Sequence, residues 1–264
     1  GKVLLTARAN ATLSKNEVKE KDEQENIYPY RMERGYRVNQ AKGLIALGLF
    51  KDYDDIRNSP KQTFGNYMPG DIKYKDVNGD GIIDDQDQVA VGATTVPNLV
   101  YGIGVSAQWK GLDVNVHFQG AGKSSFFIDG EGVRPFASGN RGNFYQEVID
   151  GRWISKEESG TIATENPHAK YPRLSYGYND NNNRNSSYWL RNGSYLRLKT
   201  LEVGYTLPKK IVNRIHFNNI RIYMIGTNLI TWSKFKMWDP EMNSSNGATY
   251  PLAKSVTVGL NVNL

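Results

Sequence analysis

A chain of 264 residues carrying a net charge of +6 can build one large domain or two modest ones. Lysine and arginine are spread along it without a dense cluster, which argues against a nucleic-acid partner. The absence of cysteine removes disulfides, thiolate zinc sites and cysteine nucleophiles together.

The first element is a strand predicted over residues 3–13. Val3, Leu5, Ala7, Ala9, Ala11 and Leu13 lie on one side, with Thr6, Arg8, Asn10 and Thr12 on the other. A chain that opens inside a strand reads as a fragment or a processed product. Residues 14–98 then form a long connection, whose longest apolar run, "GLIALGLF", is far below the roughly 20 residues of a membrane helix.

Within that connection, "DVNGDGIIDDQD" has the spacing of a calcium loop. Asp76, Asn78, Asp80, the Ile82 carbonyl, Asp84 through water, and Asp87 supply hard oxygen donors, and Gly81 permits the turn between them. Ile83 is expected to point inward. Asp87 replaces the usual glutamate at the twelfth position, and no paired helices flank the loop, so a structural brace is expected rather than a sensor.

Further strands are predicted over residues 99–109 and 112–120, joined by "KG". After a second long connection, 121–194, come strands over 195–207, 219–229 and 254–264, the last two joined by residues 229–254. Leu112, Val114, Val116 and Phe118 oppose Asp113, Asn115, His117 and Gln119, and the final strand alternates as cleanly. The fifth strand alternates poorly, and its faces stay unassigned.

These strands run about 10 residues, against a usual mode of about 5–6, and about 9–11 residues cross a bilayer at a tilt. Their connections alternate long and short, the rule for outer-membrane barrels with short periplasmic turns and long extracellular loops. The fold class is therefore all-β, a transmembrane antiparallel β-barrel. Six strands cannot close one, because the smallest have eight. The remainder of the barrel is expected to lie outside this chain.

Several stretches together resemble the C-terminal portion of the SusC/RagA family of TonB-dependent outer-membrane transporters. They are "GNYMPGDIKYKDVNGDGIIDDQDQVAVG", "WKGLDVNVHFQGAG", "YLRLKTLEVGYTLPKKI" and "RIYMIGTNLITWSKFKMWDPEMN", followed by the terminal strand. The resemblance implies a plugged barrel of the 22-stranded class, a plug domain and TonB coupling upstream, and a SusD-like surface lipoprotein over the mouth. It also implies residence in the outer membrane. The terminal Leu264 departs from the aromatic residue that commonly ends such barrels.

No nucleophile elbow, zinc pair or phosphate loop is present, and the carboxylate pairs Glu157/Glu158 and Asp239/Glu241 read as solvated, so an enzyme is not expected. "KYPRLSYGYNDNNNRNSSYWLRN" is rich in Tyr, Trp, Arg and Asn, and is read first as packing between loops and second as contact with a glycan or peptide substrate. Trp109, Trp232 and Trp238 are expected at the membrane interfaces. The leading function is import of oligosaccharides or oligopeptides. Its rival is a secreted, calcium-braced β-sheet binding or adhesion module.

Overall fold

The computed structural model describes residues 2–137, 143–242 and 244–264. Six long strands dominate: β1 (Leu4–Leu13), β2 (Leu99–Trp109), β3 (Leu112–Gly122), β4 (Tyr195–Thr206), β5 (Asn219–Ser233) and β6 (Ser255–Asn263). Each pairs antiparallel with its neighbour in the chain, giving one sheet in the order β1 to β6. The tightest connection is Lys110–Gly111, whose φ values of 48° and 89° both lie in the left-handed region, as a two-residue hairpin with strand-matched twist requires. A side chain at residue 111 would also strike the Thr206 carbonyl, 2.6 Å from an added Cβ.

The pairing registers sort the sheet into two faces. One row runs Leu5, Ala107, Val114, Val203, Met224 and Val258 across all six strands. The next row runs Thr6, Ser106, Asn115, Glu202, Ile225 and Thr257, and its side chains point to the other face because the pleat has period 2. The apolar face is uncovered: Leu5 is 67% exposed, Met224 48% and Val258 73%. An uncovered face of that kind needs an apolar surrounding, since monomeric soluble proteins rarely expose contiguous apolar surface this extensive.

β5 belongs to the same pattern, with Ile222 and Met224 on the apolar face opposite Arg221 and Tyr223. Its sequence hides this because apolar Ile225 falls in the polar row and a bulge carries Leu229 out of the alternation. Register shifts where Lys199 meets the stretch after Thr227, Asn228 takes φ 52°, and Leu229 folds back over Gly226, 2.7 Å from an added Cβ. The strand continues to Ser233, four residues beyond the sequence expectation.

Several strand glycines are covered by a long side chain from the adjacent strand: Tyr101 lies over Gly120, Tyr223 over Gly259 and Arg221 over Gly204. Such cover restores the packing that a glycine lacks and fixes the register.

The short connections lie at one end of the sheet, and the three long ones, between β1 and β2, β3 and β4, and β5 and β6, lie at the other. The long connections have regular structure of their own. Ala46–Leu49 pairs with Ile72–Tyr74, Lys61–Gln62 with Ile82–Ile83, and Ser125–Phe127 with Leu190–Asn192. They share one hydrophobic core, with Leu44, Ile72 and Tyr74 from the first, Ile128, Val148 and Trp189 from the second, and Phe235 from the third.

Candidate functional site

Two regions carry chemistry, the acidic turn within the loop assembly and the polar face of the sheet. In the turn, Asp76 accepts the Gly79 N–H with Oδ1 at 2.6 Å and the Gly81 N–H with Oδ2 at 2.9 Å. Gly79 and Gly81 both take φ near 80°, which removes any Cβ conflict where the chain reverses. Asn78 accepts from the Asp80 N–H and donates to Asp80 Oδ2, and Asp80 Oδ1 accepts the Ile82 N–H at 2.8 Å. Asp84 caps the next turn by accepting the Gln86 N–H at 2.7 Å.

Asp87, expected as the twelfth-position ligand, is instead turned wholly into the protein, with Oδ1 taking the Val77 N–H and Oδ2 the Asp84 N–H. Ile83 sits in the loop core at 1% exposure. The donor set is all oxygen, which suits a hard cation such as calcium and no softer metal. Backbone N–H groups already occupy several of these oxygens one by one. Among the described residues, no three His, Cys, Asp or Glu side chains converge on a common point.

The turn is docked on both sides. The Tyr28 hydroxyl accepts from Asn78 Nδ2 at 3.2 Å, and the Tyr30 hydroxyl donates to the Gln86 carbonyl at 3.0 Å. The two rings stack with centroids 5.5 Å apart. The following residues are tied down by Lys42, whose ammonium donates to the carbonyls of Tyr30, Arg31 and Met32.

The Asn-rich stretch joins the first two long loops. Asn182 Oδ1 accepts the Ile72 N–H, while its Nδ2 donates to Asp71 at 2.7 Å. Asn181 Nδ2 donates to the Ile72 carbonyl, and Tyr74 and Trp189 donate to the carbonyls of residues 181 and 182. Asp71 is fully buried and paired with Arg173 at 2.9 Å. Burial raises its carboxyl above the ordinary range, and the Arg173 guanidinium opposes that rise. Most of the stretch is thus packing, although Tyr176 and Tyr178 stay exposed.

Trp109 and Trp232 lie exposed near opposite ends of the sheet. Trp238 does not: it packs edge-on to Phe235 at 4.7 Å, and its Nε1 donates to the Ser244 carbonyl. The expectation of an interfacial role is corrected for Trp238, because the chain after β5 turns into the loop core. Asp239 and Glu241 are likewise engaged, with Asp239 accepting two bonds from Arg197 Nη2 and Glu241 lying 3.4 Å from the same atom.

The polar face forms a trough of about 610 Å³ lined by Arg8, Asn10, Asn115, His117, Thr200 and Glu202. At the short-turn end Arg221 bonds Asp113 at 2.5 Å and Glu202 at 2.6 Å. The set gives a polar wall with fixed charges and dipoles.

The sequence signals for these contacts were weak: nothing in local spacing marks Asp71, Arg173 or Arg197, whose partners lie dozens of residues away.

No family model matches the chain. Among curated proteins, TonB-dependent receptor P26 of Formosa agariphila is 31% identical over 242 residues, covering 86% of this chain and 23% of that protein. TonB-dependent receptor P3 of the same organism is 26% identical over 241 residues, covering 82% and 22%. The chain thus spans about a quarter of the length of these relatives. Among solved structures, the RagAB peptide transporter superposes with a TM-score of 0.70 at 20% identity, over 99% of this chain and 27% of that one. The RagAB peptide importer in its open-open state gives a TM-score of 0.67 at 19% identity.

Proposed function

Because this chain belongs to the TonB-dependent receptors and has the fold found in RagAB, we propose that it forms barrel wall and surface loops of an outer-membrane transporter importing oligosaccharides or oligopeptides. The observation that carries this reading is the two-faced sheet. Six strands of bilayer-spanning length present an uncovered apolar row on one face and a mostly polar row on the other. A secreted binding module would bury that apolar face in its own core.

Open sheet edges cannot persist in lipid, so β1 and β6 pair with further strands of the same transporter. The polar trough then faces a lumen filled by a plug domain, through which TonB supplies energy. The loop assembly stands on the cell surface, where a SusD-like lipoprotein docks as a lid. The peptide named for RagAB supports the oligopeptide option, and the exposed Tyr176 and Tyr178 give the loops aromatic faces for either cargo.

In the acidic turn we propose a structural calcium ion that on binding draws together Asp76, Asn78, Asp80, the Ile82 carbonyl and Asp84. Asp87 holds the backbone from behind. The ion would stiffen the first long loop beneath the lid.

The reading is tested by expressing the full-length receptor containing this chain, fractionating membranes and following uptake of labelled oligopeptide and oligosaccharide pools. Energy-dependent uptake that fails when the receptor is deleted supports it. Recovery of the receptor in the soluble secreted fraction would sink it.

A further inference from the structure

A cleft of about 480 Å³ lies between the second and third long loops, and Lys234 in its wall directly follows the last residue of β5. Its floor is aromatic and buried, with Tyr171 and Phe235 at 2% and 6% exposure. Lys170, Arg191, Lys234 and Lys236 line it, against the single carboxylate of Glu147, which lies 3.3 Å from Lys170. Arg191 is held in place by donating to the carbonyls of Tyr188 and Leu190. Lys234 and Lys236 are exposed, and neither has an ion-pair partner among the described residues.

The height of the cleft follows from chain connectivity. Trp232 is exposed on the apolar face of β5, and Lys236 follows it by only four residues, so it lies within about 14 Å of it. Exposed tryptophans at the end of a membrane strand mark the headgroup level. Cations just beyond that level meet the phosphate layer, and basic pockets beside spanning segments recognise anionic lipid headgroups. A soluble anion would need no continuity with an apolar wall, whereas a lipid uses both the cations and the wall below them.

We propose that this cleft seats the phosphate-bearing headgroup of an outer-leaflet lipid, with Arg191, Lys234 and Lys236 binding the phosphate and the aromatic floor packing beneath. The proposal rests on the outer-membrane reading above.

The test titrates the detergent-purified full-length receptor with phosphatidic acid, using phosphatidylcholine as the neutral control, and counts bound lipid by native mass spectrometry. Each lysine is expected to contribute about fivefold, so the Lys234→Gln/Lys236→Gln double variant loses about 25-fold in phosphatidic-acid affinity. Lys234→Arg/Lys236→Arg retains it, phosphatidylcholine binding is unchanged, and millimolar inorganic phosphate does not displace the lipid. Both variants alter exposed side chains and keep the heat-modifiable gel mobility of a folded barrel. Unchanged affinity in the glutamine variant, in a receptor that does enter bilayers, overturns the proposal while leaving the transporter reading intact. Displacement by inorganic phosphate would assign the cleft to a soluble anion instead. A receptor that never enters lipid removes both readings.

Discussion

Arg197 of β4 meets Asp239, 42 residues later, with Nη2 at 2.6 and 2.8 Å from the two carboxylate oxygens and the guanidinium side chain only 1% exposed. This pair pins the third long loop onto the end of the sheet. Removing one partner of such a buried pair costs about 3–5 kcal/mol, because the other charge is left uncompensated. Glu241 at 3.4 Å softens the loss. Asp239→Ala is therefore expected to cost about 3 kcal/mol locally, read as a loss of amide exchange protection over residues 234–254 of about 100-fold. Protection in β2 and β3 should hold.

Gly204 provides the space in which Arg221 crosses β4 to reach Asp113. Gly204→Ala puts a methyl where the guanidinium lies and forces it away from Asp113 and Glu202. Crowding of this kind costs about 1–3 kcal/mol, and the guanidinium tip can swing, so about 1–2 kcal/mol is expected in denaturant unfolding of the reconstituted receptor. Gly204→Ala in an Arg221→Met background should cost less. Equal losses in both backgrounds would show that the contact is not the cause.

Trp189 ties the loops together through its ring and through Nε1, which donates to the Asn182 carbonyl at 2.6 Å. Trp189→Ala should destabilise the loop assembly by about 3–5 kcal/mol. Limited proteolysis is then expected to cut within residues 14–98 and 123–194 while the strands stay intact.

The strands were legible in the sequence because a two-sided environment imposes period 2 on each of them, as in Leu112 to Gln119. β5 resisted for a local reason: Ile225 stands in the polar row and Leu229 is folded into the bulge over Gly226, so apolar residues occupy both parities although the apolar face keeps to Ile222, Met224, Ile230 and Trp232. Trp238 was misjudged because proximity to a strand end says nothing about whether the chain continues along the wall or folds inward. That residues 76–87 turn tightly with Ile83 pointing inward could be read because the turn's contacts are local. The polar ties of Asp71 with Arg173 and Asn182 could not, because they form only when two loops more than 100 residues apart in sequence meet.

For the acidic turn, calcium affinity in the range of extracellular modules, about 10⁻⁴–10⁻³ M, is expected. Asp80 caps the Ile82 N–H and is a proposed ligand, so Asp80→Ala should weaken terbium binding, followed by sensitised luminescence, by at least about tenfold. The strands should remain folded. Identical luminescence titrations for the two proteins would remove calcium from the account.

The central claim is that the two faces of the sheet meet lipid and lumen. This chain has no cysteine of its own, so a cysteine introduced for labelling is the only thiol within it. Nitroxides at residues 105, 114, 203 and 258 of the full-length receptor in bilayers are expected to be relaxed by dissolved oxygen and shielded from a water-soluble nickel complex, whereas labels at 106, 115, 202 and 257 show the reverse. Accessibility that fails to alternate between these neighbouring positions would contradict the account.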